Sequence, residues 1–220
     1  MLLAIDTATR QMSIALHDGQ AVPYEATWHT ANNHTIELAP AIQRALNQLA
    51  LTPGDLQGVA VAQGPGSFTG LRIGMSMAKG LTLAQDIPLV AVPTLHIVAA
   101  GIPPLDGSLV AVLQAGRGRV CAQRFDWNGQ QWQPADQAVI TPWDDLLGSL
   151  DPSAHIAGEI NEQGRAALRA SRHRTVPGAR ALRRAGILAE IAWNRIHAGQ
   201  TDDPATITPV YLHQPGVSHP

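Results

Sequence analysis

Cysteine is almost absent from this chain: Cys121 is the single one among 220 residues. An intrachain disulfide and a thiolate metal cluster are both excluded by that count. Charge is scarce as well, with 15% of residues being Asp, Glu, Lys or Arg and a net charge of -2. Such a balance lacks the basic footprint of a protein that grips nucleic acid unaided. No apolar run approaches the length of a membrane span. The start, Met1-Leu2-Leu3-Ala4-Ile5-Asp6, has neither the basic flank nor the long apolar core of a signal peptide. A soluble cytoplasmic protein is the expectation. What the chain does have is 45% hydrophobic residues, enough to bury one large core or two small ones and to supply an apolar interface.

The densest local signal is Gln63-Gly64-Pro65-Gly66-Ser67-Phe68-Thr69-Gly70-Leu71-Arg72-Ile73-Gly74. It follows the apolar run Gly58 to Ala62 and opens a helical pattern over Thr69–Gln85, so it reads as strand, tight turn, helix start. Pro65 fixes φ, Gly64 and Gly66 open conformations closed to other residues, and Ser67 and Thr69 suit a helix cap. Backbone N–H groups arranged this way can converge on an anion. The same turn can equally be a close-packed corner. The spacing is G-x-G-x-x-x-G, one residue off the dinucleotide fingerprint, and no Gly-Lys-Ser/Thr follows to make a phosphate loop. Both readings stay open at this point.

Along the chain the design is doubled. Leu2–Ile5, Met12–Leu16 and Ala21–Trp28 read as strands, with Asp18-Gly19 marking a hairpin. A helix is expected over Thr35–Leu49, kinked or started by Pro40. Strand 58–62, the glycine loop, helix 69–85, strand Leu89–Val92 and a short helix from Thr94 follow. After Gly101-Ile102-Pro103-Pro104 the order begins again. Strands are expected at Leu109–Leu113 and Arg119–Phe125, then an Asn128-Gly129 hairpin and a return strand within Gln131–Val139. A helix capped by Thr141 with Pro142 in its first turn comes next. The pattern closes with a short strand at His155–Ala157 and helices near Asn161–Ala170 and Arg180–Ala198. Two related α/β domains with mixed sheets satisfy this pattern, 1-104 and 105-220, the last helix packing back on the first domain.

Candidate catalysts are few. His17, His29, His34, His155, His173, His197, His213 and His219 are scattered without ligand-like spacing. Asp144-Asp145 and Asp202-Asp203 are sequence neighbours whose side chains diverge, which fits a helix start and a solvated turn. Ser67 sits on a sharp turn, but Pro65 and Thr69 stand where a Gly-x-Ser-x-Gly elbow needs glycine. Cys121 lies in an apolar strand pattern that suits a buried thiol. Arg165, Arg169, Arg172, Arg174, Arg180, Arg183 and Arg184 form the basic cluster, read as a solvated helix face or a contact to phosphates.

The start LLAIDTAT, the helix NHTIELAPAI and the stretch VAVAQGPGSFTGLRIGMSMAKGL together resemble the TsaB (YeaZ) family. The likeness is dense over residues 1 to 100 and weaker beyond, where Thr208-Pro209-Val210-Tyr211-Leu212 is similar to the family's closing motif. It implies two ribonuclease-H-like domains of the actin/hexokinase/heat-shock-ATPase kind. It further implies a non-catalytic scaffold in synthesis of N6-threonylcarbamoyladenosine on tRNA. The implied partners are a TsaD-type catalytic subunit and a TsaE-type ATPase, with a homodimer when alone and a tRNA contact within the complex.

By matching strand Leu89–Val92, the two metal-binding histidines of the TsaD family fall here on Thr94 and Val98, so the resemblance implies no metal. Asp6-Thr7-Ala8-Thr9 resembles the fold's first phosphate turn, with Ala8 in place of a glycine. It reads as a degenerate site with weak or absent ATP/Mg binding, or as a turn that Asp6 simply caps. Helix 69–85 is apolar on more than one face, which suits a central helix or one with a face for a partner. The resemblance favours the partner, implying an interface of His34, Glu37, Met75, Lys79 and Leu83. An actin-like-fold small-molecule kinase or ATPase is the alternative.

Overall fold

The computed structural model describes residues 1–116 and 118–212. The chain forms two compact units: Met1–Ile97 with Arg183–Val210, and Val98–Leu182 with Tyr211–Leu212. The division falls within the short helix after Pro93 and again before Arg183, where sequence had suggested one boundary after residue 104.

In the first unit, β1 (Leu2–Asp6), β2 (Gln11–His17), β3 (Tyr24–His29), β4 (Gly58–Gly64) and β5 (Leu89–Pro93) make one mixed sheet in the order β3-β2-β1-β4-β5. β1 pairs antiparallel with β2 and parallel with β4, and Ile5 faces both Ile14 and Val61. Asp18 accepts from the backbone of Gln20 and Ala21, and Gly19 takes φ +102, which is the hairpin that Asp-Gly encodes. β1 is buried along its whole length because helices cover both faces. Leu3 and Ile5 pack with Leu38, Ala41 and Leu46 of α1 (His34–Gln48) and Met75 and Ala78 of α2 (Phe68–Gln85). The alternate positions lie towards α6 (Ala185–His197).

Two expectations change here. Pro40 neither starts nor ends α1, which runs unbroken through it, with the proline on the exposed side. The last helix begins at Ala185 rather than Arg180, because Arg184 is extended (φ -121, ψ 135) and Arg183 is drawn inward.

The second unit repeats the arrangement. β6 (Leu109–Gln114), β7 (Arg119–Trp127), β8 (Trp132–Pro134), β9 (Val139–Pro142), β10 (His155–Gly158) and β11 (Arg174–Thr175) form a sheet in the order β11-β10-β6-β7-β8, with β9 also on β7. With β6, β7, β8, β10 and β11 read as its first to fifth strands, this is the order of the first sheet. The return strand expected over 131–139 is split in two. Pro134 has no N–H for the ladder, and Asp136 takes up Arg124 N and Gln123 Nε2 before the chain rejoins β7. β9 then runs through Thr141 and Pro142, so α4 (Trp143–Ser149) starts one residue later than expected. Trp143, Leu146, Leu147 and, from α5 (Glu162–Ala170), Leu168 close the core over Val110, Val112 and Ile156. α3 (Thr94–Ala100) holds the division between the units. No described helix is long and apolar enough to cross a membrane.

Leu188 of α6 is fully buried in the first unit. Leu188→Ala should therefore lower the unfolding free energy by about 2–5 kcal/mol in urea titration, where loss of an exposed leucine would be nearly silent.

Candidate functional site

The glycine loop is an interlock. Ser67 caps α2 by accepting from Gly70 N (3.3 Å), and its own N–H donates to Ala8 O (2.6 Å). Thr7 Oγ1 donates to Gly70 O at 2.8 Å. A Cβ on Gly66 would stand 2.3 Å from Ala8 O, on Gly70 2.2 Å from Thr7 O, and on Gly74 2.2 Å from Thr7 Oγ1. Three glycines of the motif thus admit the turn after β1 against the first turns of α2. Gly64, at φ +118, packs on the Val210 carbonyl, and its N–H donates to Thr94 Oγ1 (3.1 Å). Arg72 lies over the Phe68 ring, 3.7 Å from its centre. Thr69 is exposed.

The turn it grips carries a charge pair. Asp6 is 0% exposed. Its Oδ1 accepts from Ala8 N (2.9 Å) and its Oδ2 from Arg183 Nε (2.5 Å). The guanidinium also donates to Thr9 Oγ1 and Gln11 O, both at 3.0 Å, while Gln11 Nε2 donates back to Arg183 O (2.9 Å). His34 Nε2 donates to Thr9 O at 2.9 Å. These residues do not fit a hydrated magnesium. The carboxylate that would hold it is buried and already neutralised by a guanidinium, and a sheathed ion needs room for water.

The residues read as a partner surface separate into two sets. His34 and Met75 are buried, the first pinned to Thr9 O and the second in the core, so they back the surface from beneath. Glu37 joins β3 to α1, accepting from Trp28 Nε1 (2.7 Å) and Thr30 Oγ1 (3.0 Å). Lys79 is half-buried and Leu83 is 66% exposed. Around them lies a feature that sequence did not single out. Leu38, Ile73, Met77 and Leu81 line a groove between α1 and α2, with Gly80 bare beside it. Phe68 is 53% and Ile36 70% exposed. Phe68, Arg72, Lys79 and Leu83, spaced four, seven and four, share one stripe of α2. The signal was present in the apolar excess of that helix; which face was spare depended on the sheet.

Elsewhere, Thr94 is committed to Gly64 and Val98 is buried. Among the described residues no three His, Cys, Asp or Glu are grouped to hold a metal. The arginine cluster divides. Arg183 is buried on Asp6, and Arg184 pairs with Glu25 in the first unit; Arg165, Arg169, Arg172, Arg174 and Arg180 belong to the second. Nothing local marked Arg183, since its partner is 177 positions away.

Two outcomes follow from this packing. Gly74→Ala should destabilise the protein despite alanine's better helix propensity, and Thr7→Ala in the same chain should recover part of the loss in a denaturation double-mutant cycle. Burial pushes the Cys121 thiol from 9.0 up to about 12. Over that interval the unfolded chain has lost the proton and the folded chain keeps it, so stability should fall as pH rises from about 9. Native protein at pH 8 should also resist iodoacetamide until urea unfolds it.

Comparison with known proteins agrees with this architecture. The family profile TsaD: tRNA N6-adenosine threonylcarbamoyltransferase matches residues 8–199. The tRNA threonylcarbamoyladenosine biosynthesis protein TsaB of Bacillus subtilis (strain 168) is 35% identical over 153 residues, 68% of this chain and 67% of that protein. Its namesake from Escherichia coli (strain K12) is 34% identical over 146 residues, 64% of this chain and 62% of its own length. The structure of YeaZ from Pseudomonas aeruginosa superposes with a TM-score of 0.77 at 24% identity, covering 96% of this chain and 99% of that one. That is an actin-like ATPase-type fold, and by fold and sequence together this chain belongs to the TsaB (YeaZ) family.

Proposed function

We propose that this chain is a non-catalytic subunit in the formation of threonylcarbamoyladenosine on tRNA, docking a TsaD-type catalytic subunit on its α1–α2 face. The observation that carries the reading is that face: a groove of Leu38, Ile73, Met77 and Leu81, flanked by exposed Ile36, Phe68 and Leu83. A patch of this kind is a burden on a solitary protein and an asset to a bound one. The partner's identity is supported by likeness of fold. A chain that matches the TsaD profile over residues 8–199 can meet a TsaD-type protein through equivalent helices, as two copies of one fold meet across a twofold axis. The same geometry allows a homodimer when the partner is absent, and methionine at Met77 adapts to either. A TsaE-type ATPase and tRNA would join the assembly at other surfaces.

The non-catalytic reading rests on how the polar groups are spent. Asp6 neutralises Arg183, Thr7 holds Gly70 O, and Ser67 caps a helix. Each of these groups is engaged in holding the turn or the helix start in place. Weak or absent magnesium-dependent ATP binding follows from the same pairings.

Calorimetric titration with the TsaD-type protein of the same cell tests this. Saturable heat is expected, and ATP titrated with magnesium or with EDTA should give the same weak signal. Strong magnesium-dependent ATP binding without association would favour the kinase or ATPase reading. A Cβ at Gly80 meets nothing within 4 Å, so Gly80→Ala should leave association intact. Gly80→Arg should fold equally well and weaken association by at least about tenfold, as an unpaired charge in an apolar contact does.

A further inference from the structure

The second unit contains a cavity that the docking role does not use. About 490 Å³ in volume, it lies between α5 and the chain on either side of β11. Its lining includes the apolar side chains of Ile160, Leu168, Val176 and Ala181. It also includes Arg165 and Arg169, one turn apart on α5, and His173 from the segment that follows. Among the described residues no carboxylate lines it.

Two details suit it to a ligand. Arg165 is held in place by donating to Ile160 O at 2.8 Å, so its guanidinium is already oriented. Both ring nitrogens of His173 are buried and without a hydrogen-bond partner among the described residues. A buried donor and acceptor left unmade in one ring are costly, and native structures rarely carry them without a bound group or water. The carboxylate electrostatically linked to His173 is Asp151, whose Oδ1 is occupied by Ser153 N and Oγ.

We propose that this cavity binds a nucleotide, with its phosphate on Arg165, Arg169 and His173 and its ring system against the apolar side chains. Guanidinium forks match phosphate oxygens in pairs, and an imidazole adds a third donor. A simple inorganic anion would leave the apolar lining uncovered, whereas a nucleotide can engage both kinds of group, and the volume lies within the range of small-molecule sites. The nucleotide is either a free mononucleotide or one unstacked residue of an RNA strand, whose phosphate and base present the same chemistry. Magnesium has no part in this binding, which separates it from the turn at Asp6.

The test is titration of the full chain, in EDTA, with inorganic phosphate, AMP and a short single-stranded RNA, read by calorimetry and by amide shifts. Saturable binding of AMP, with shifts confined to residues 158–181, supports a free nucleotide. Binding of RNA alone, with the same shifts, supports an RNA residue. Arg169→Glu, at an exposed position, should raise either Kd at least about tenfold. His173→Phe removes the unpartnered nitrogens, so it should weaken binding while leaving the thermal midpoint of the unliganded protein unchanged or higher. No binding of AMP or RNA overturns the proposal, as does binding no tighter than inorganic phosphate, or binding that both variants leave unaltered. Because the readout needs no TsaD-type protein, failure here and failure of the docking role are distinguishable.

Discussion

The buried pair of Asp6 and Arg183 is the constraint around which the first unit is arranged. Two opposite charges with almost no solvent exposure are tolerable only if each remaining polar atom finds a partner, and here each oxygen of the carboxylate is engaged. Arg183 reaches Thr9 and Gln11 as well, so the turn between β1 and β2 is held from one side by the segment entering α6. From the other side it is held by the glycine loop, which approaches closely enough that a methyl group would collide with Thr7 or Ala8. Removing either charge would leave the other stranded in the interior, a loss on the order of 3–5 kcal/mol.

That arrangement also ties the turn after β1 to both α2 and the segment before α6. The aspartate at the end of β1 is presented to the interior, and the cation it meets there is a side chain of the protein itself, Arg183. The guanidinium bonds Asp6, Thr9 and Gln11 at once and so ties the turn to the segment before α6. The same turn is joined to α2 through Ser67, Thr7 and Gly70. The face that α1 and α2 offer to solvent is therefore firmly backed, and a preformed apolar surface loses less entropy on association than a mobile one.

Much of the fold was legible because its signals are local. Asp18-Gly19 and Asn128-Gly129 set hairpins, apolar runs set β1, β4 and β6, and Ser67 set the start of α2. The errors arose where a local signal competed with a distant one. Residues 180–184 look helical, yet Arg183 is pulled straight by Asp6. The stretch 131–139 alternates like one strand, yet Pro134 and Asp136 divide it against β7. Pro40 suggests a kink or a helix start, yet α1 begins six residues earlier and continues past it, with the proline on the exposed side. The site was legible in its glycines and not in their purpose, since an anion cradle and a close-packed corner require the same freedom of backbone.

The sequence by itself determined the doubled order of strands and helices, the tight turn at Gly64–Gly70 and the family likeness of its first hundred residues, because periodicity and turn chemistry act over a few positions. Only the tertiary structure decided which groups meet. It gave Asp6 a guanidinium from position 183, buried His34 and Met75, bared Ile36 and Leu83, and placed His173 with Arg165 and Arg169 around one cavity. Burial and charge pairing depend on which faces the sheet covers, and that is settled by contacts between segments far apart in the chain.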